Sequence, residues 1–148
     1  MNLIEHLTMK GELSVVVKDE ATGTIKQAFT VPNLVVSVGK TYIASRMVGT
    51  ASNVMSHMAI GTATTTPIVG DTTLGTEAGR VGVSAFTAST NTVTTTATFP
   101  AGTGTGAITE AGILNAASAG SLLCRTTFPV VNKAAGDSIA ITWVVTVS

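Results

Sequence analysis

The strongest constraint on the fold is a division of roles along single short runs. Thr92, Thr94, Thr96 and Thr98 alternate with Val93, Thr95, Ala97 and Phe99. Successive side chains of a strand point to opposite faces, so this run presents one mostly apolar face and one threonine face. Threonine has high β propensity and a hydroxyl that tolerates water. Three further β-type runs close the chain: Ile108–Leu114, Leu122–Phe128 and Ile139–Val147. They are separated by small-residue loops. Such a series predicts sheets that pack on one face, each buried Val, Ile, Leu or Phe contributing roughly 1.5–3 kcal/mol.

Earlier segments extend the series. Leu13, Val15 and Val17 alternate with Ser14, Val16 and Lys18, and Asp19–Gly23 supplies turn chemistry. Ile25, Gln27, Phe29 and Val31 alternate on the return, and Pro32-Asn33 is expected to end that strand. Residues 38–48 are the best helix candidate, with Tyr42, Ile43, Met47 and Val48 near one face, Ser37 placed to cap and Gly49 to terminate. Val54–Ile60 reads as a strand, 61–80 as a long loop, and Val81–Ala88 with Thr92–Phe99 as a hairpin. The sum is about eight antiparallel strands and one short helix. That pattern is all-β, a single-domain β-sandwich or jelly-roll-like fold over 12–148. Residues 1–11 read as an N-terminal arm, in which Leu3, Ile4 and Leu7 share one helical face. A helix that short is marginal without a partner surface.

Composition then bears on function. Charged residues make up 11% of the 148, against roughly 25% in ordinary soluble domains. Apolar residues reach 45% and the net charge is zero. Soluble monomers usually keep a net charge and small apolar patches, so the balance favours a subunit that covers surface in an assembly. Lysines and arginines are scattered and matched by acids, which disfavours nucleic-acid binding. No apolar run approaches the roughly 20 residues of a membrane span.

Chemistry-bearing motifs are few. Gly39-Lys40-Thr41 lacks the upstream glycine of a phosphate loop, because Leu34 stands there. His6 and His57 have no Cys, Asp or Glu at ligand spacing, so no metal is expected. Cys124 lies in an apolar run and reads as a core residue. Glu77, Arg80, Glu110 and Arg125 stand out in an otherwise apolar half. If Ile108–Leu114 pairs antiparallel with Leu122–Val131, Glu110 and Arg125 lie opposite or nearly so. Paired carboxylates flanking a substrate would suit a glycosidase. Arginines beside them suit permanent structural or interface ion pairs, which Glu77 and Arg80 could join. No catalytic residue, cofactor site or metal site is expected.

An ordered series of short stretches completes the reading. They are Asn33-Leu34-Val35-Val36 leading to Gly39-Lys40, then Met58-Ala59-Ile60-Gly61-Thr62, and Asp71-Thr72-Thr73-Leu74 with Glu77 and Arg80. Ile108–Asn115, Arg125–Phe128 and Ile139–Val147 with Trp143 follow. Through most of its length the chain resembles small structural proteins of tailed bacteriophages, namely head decoration (cement) proteins, some loosely labelled tail-fibre proteins. The resemblance implies a β-sandwich subunit, a homotrimer, made in the host cytoplasm and attached to the virion. The major capsid protein would be its partner, with no nucleic acid and no membrane involved. The chain lacks a fibre's long repetitive shaft, which favours the head surface over a tail, baseplate or fibre location. A carbohydrate-binding β-sandwich module is a second alternative. Leu3, Ile4 and Leu7 of the arm and Pro67 and Ile68 of the long loop are the expected contacts with the shell or neighbouring subunits.

Overall fold

The computed structural model describes residues 5–50 and 52–148. In chain order they form β1 (Met9–Asp19), β2 (Ile25–Val35), α1 (Ser37–Met47), β3 (His57–Gly61), β4 (Glu77–Gly82), β5 (Ala85–Ser89), β6 (Thr92–Phe99), β7 (Gly106–Leu114), β8 (Leu122–Lys133) and β9 (Asp137–Val147). All pairings are antiparallel, in the order β4-β3-β7-β8-β2-β1-β9-β6-β5. The sheet is curled so that its two ends stack as layers. One layer is β2-β1-β9-β6-β5 and the other is β4-β3-β7-β8. A single core joins them: Leu13, Val15 and Val17 of β1, Phe99 of β6 and Ile139, Ile141 and Trp143 of β9 meet Met58, Ile60, Ile108, Ile113 and Cys124 from the opposite layer.

The all-β single domain is as expected, with nine strands instead of eight. The additional strand arises at Val83-Ser84. There the expected run 81–88 stops pairing with β3, and β5 pairs with β6 in the other layer. A second crossing occurs in β2, whose Leu34 and Val35 leave β1 for Arg125 and Cys124 of β8. Sandwich corners are commonly made this way, by chain that changes layer.

Pro32 does not end β2. It stays in register with Glu12 of β1. Its carbonyl accepts a hydrogen bond from Thr126 Oγ1 at 2.6 Å, on the β8 side. In an antiparallel strand a residue's N–H and C=O point the same way, so the missing donor also faces away from β1 and the ladder loses nothing. β1 itself starts at Met9, inside the expected arm, and Thr8 exchanges backbone hydrogen bonds with Ser148. Of the arm's candidate contacts, Leu7 is exposed, whereas Leu3 and Ile4 lie outside the described residues.

Helix α1 packs on β8. Gly39 sits against the Leu123 carbonyl, where any side chain would collide. Its glycine thus serves close packing at the start of the helix, and Lys40 beside it is exposed. Ser37 does not cap the helix, since Val36 occupies the cap position without a side-chain bond. Gly49 does end it: φ is +67°, and Gly49 and Thr50 donate back to the Arg46 and Ser45 carbonyls. That is the paired closure a left-handed glycine allows. Tyr42 and Ile43 pack on the core, but Met47 and Val48 project into solvent at 84% and 80% exposure.

Candidate functional site

The two layers treat their outer faces differently, and the site follows from that difference. On β9, buried Ile139, Ile141, Trp143 and Val145 alternate with exposed or half-exposed Ala140, Thr142, Val144 and Thr146. On β7 every residue from Ile108 to Leu114 is buried. Its outer face lies beneath the segment 62–76, and Leu74 seals it by packing with Val36, Ala59, Leu114 and Leu122. Gly112 leaves the room that Leu74 fills.

Under that segment lie Glu110 and Arg125, with 0% and 2% of their surface exposed. The strands pair Glu110 with Thr127 and Gly112 with Arg125, so the two side chains are diagonal neighbours on one face. Arg125 Nε donates to Glu110 Oε2 at 2.8 Å. Its Nη1 donates to Asp71 Oδ2 at 2.8 Å, and its Nη2 to the Thr65 carbonyl at 3.0 Å. Glu110 also accepts backbone N–H bonds from Ala63 (3.2 Å), Gly75 (2.9 Å) and Thr76 (2.7 Å). Thr109 Oγ1 donates to the Ala63 carbonyl at 2.8 Å. Burial alone would lower the Arg125 pKa, but the Asp71 and Glu110 carboxylates outweigh it and hold the guanidinium above its ordinary value. The guanidinium therefore keeps its charge, and the network ties both ends and the middle of the segment to the sheet. A buried pair adds little net stability, yet losing one partner strands the other without water.

The clamp fixes what the segment displays. Ile68 and Val69 are 61% and 53% exposed, and Pro67 is half-buried and lines a cleft with Arg125 and Thr126. The Val69 carbonyl accepts from Ser37 N at 2.7 Å, satisfying a first-turn donor of α1 that lacks a capping side chain. Along α1, a groove of about 500 Å³ is lined by Leu7, Met9, Val35, Ile43, Ala44 and Met47, among others. Exposed apolar groups thus flank the helix at both ends.

Glu77 and Arg80 form a separate pair. Arg80 Nε and Nη2 donate to Glu77 Oε1 and Oε2 at 2.9 and 2.6 Å. Arg80 Nη1 donates to the Ala116 and Ala119 carbonyls at 2.8 and 2.9 Å. This pair therefore fastens the 115–121 loop and does not join the Arg125 network. The sequence pairs Glu110 with Arg125, as found, but has Glu77 and Arg80 joining that pair or crossing to another subunit, whereas they bond each other. It misses Asp71 and Thr65, which lie 54 and 60 positions from Arg125. No local pattern connects them.

The remaining candidates are dispersed. Cys124 is fully buried, and loss of solvent pushes its thiol pKa well up, away from nucleophilic use. His6 is exposed, and His57 Nδ1 bonds Ser56 Oγ at 2.8 Å. Among the described residues no three His, Cys, Asp or Glu side chains are grouped to hold a metal, and no helix is long and apolar enough to cross a membrane. Lys133, unremarked in the sequence, is buried with its ammonium on the Pro100 and Asp137 carbonyls at 2.9 and 2.6 Å. Comparisons with protein-family models, curated proteins and solved structures returned no match.

Proposed function

We propose that this protein is a virion structural subunit that coats the outer surface of a phage head, self-associates and braces the shell. One observation carries the reading. A chain with scarce charge places a buried arginine and a buried glutamate so as to hold an exposed apolar loop tip in one shape. A rigid tip loses little conformational freedom on docking, which favours association. The face around α1, with Ile68 and Val69 at one end and Leu7 and Met47 at the other, is the docking surface. Its partners are the major capsid protein and neighbouring copies, with three copies as the oligomer the resemblance implies. Repetition over many equivalent shell positions makes modest contacts effective. No chemical transformation is part of this role.

The test is quantitative mass spectrometry on purified virions of the phage that encodes the chain. The expected result is a copy number in fixed ratio to the major capsid protein. A handful of copies would place it at the tail, and none would reject a virion role. Ile68→Asp should abolish binding to shells while leaving the unfolding midpoint unchanged.

A further inference from the structure

Four strand edges are unpaired over most of their length among the described residues, and three of them are guarded. β4 carries Glu77 and Arg80, and β2 carries Lys26, whose ammonium meets Asp137. β8 carries Pro129, which is exposed. Charges and proline on an edge discourage another strand from adding there. β5 is different. Ala85-Phe86-Thr87-Ala88-Ser89 has no charge and no proline, its ladder with β6 has no bulge, and all five residues are exposed.

β5 also overhangs the sandwich. Phe86 pairs with Thr95 and so belongs to the core-facing side, yet it is 40% exposed. Facing β3, β4 ends at Gly82, before the layer crossing, and leaves that side of β5 uncovered. The strand therefore offers two unmet needs together: a row of backbone donors and acceptors, and a phenyl ring only partly covered.

We infer that β5 is a contact between two copies of this chain, joined antiparallel about a two-fold axis through Thr87. That register overlaps all five residues. It sets Thr87 against Thr87, Phe86 against Ala88 and Ala85 against Ser89, so each large side chain meets a small one and no like charges meet. Both overhangs fall on the same face. The two Phe86 rings become diagonal neighbours, about 7–8 Å apart at the backbone and within reach of each other. The threonine faces of the two copies run on as one surface. Isologous contacts of this kind are the commonest route to symmetric assembly. The inference stands on the chemistry of the edge and does not depend on a virion as the place of action.

Thr87→Cys in the full chain tests it, because Cys124, the other thiol, is buried. Mild oxidation or a short bis-maleimide should give a dimer band, reducible in the first case. Thr22→Cys, on the exposed β1–β2 turn, should give none. Thr87→Lys places two ammonium groups face to face and should halve the assembly mass in sedimentation without moving the thermal melt. Cross-linking no greater than that of the Thr22→Cys control overturns the inference. So does a parent that sediments as a monomer, or a lysine variant that keeps the parental mass.

Discussion

The outer faces of the two layers solve the same problem in opposite ways. On the β2-β1-β9-β6-β5 layer the face is bare, and Thr92, Thr94, Thr96, Thr98 and Thr142 meet water directly. On the β4-β3-β7-β8 layer the face is roofed by the 62–76 segment, and buried charge holds the roof in place. Threonine makes a sheet wettable without any further structure. A roof must be fastened, because its backbone polar groups lose water and need partners. Glu110 supplies acceptors for three of them. Buried charge is found where a loop is attached, and the bare face needs none at its centre.

Substitutions can break this contrast in graded steps. Arg125→Met should have the largest effect, about 3–5 kcal/mol of lost stability, since Glu110 and Asp71 lose their counter-charge. Chemical denaturation measures it, and a loss under 1 kcal/mol would mean the clamp is dispensable. Leu74→Ala should cost about 2–4 kcal/mol by opening a cavity beneath the roof. Enhanced proteolysis within 62–76 should accompany it.

A smaller effect is set by pH. The Asp137 carboxyl is held below its ordinary pKa, first by the Lys26 ammonium and then by the Ala134 N–H. A depressed carboxyl contributes stability above its unfolded pKa and loses it as pH falls through the folded one. Urea midpoints should therefore fall below about pH 4, the unfolded aspartate value. Asp137→Asn should flatten that part of the profile. Arg80→Ala should cost about 1 kcal/mol, because its pair with Glu77 is partly solvated. Thr142→Ser, on the bare face, should stay within about 0.5 kcal/mol of the parent.

Much of this contrast is already written in strand patterns. Alternation in β6 predicts one dry face and one wet face, and both are found. β7 reads Ile-Thr-Glu-Ala-Gly-Ile-Leu without alternation, as strands covered on both faces do. The Glu110–Arg125 pairing follows from a hairpin across Asn115–Ser121, a local relation. The corner at Val83-Ser84 is not legible, because strand-forming Val81 and Val83 precede it and Phe86 and Thr87 follow it with no turn signal between. Only the spatial positions of β3 and β6 decide where pairing changes partner. Pro32 was misread for a related reason. Its cost depends on which side the absent N–H would face, and that is set by β8, more than ninety positions away.

Short-range physics therefore resides in the sequence: side-chain period, turn chemistry at Asp19–Gly23, the left-handed glycine after α1 and the neighbouring charges of each hairpin. Long-range closure resides in the tertiary structure. The union of Asp71, Thr65 and Arg125, the Trp143 indole donating to Asn33, and the overhang of β5 each need segments brought together by core packing. Burial is not directional, so it selects which faces meet without recording in any one segment which partner it will find.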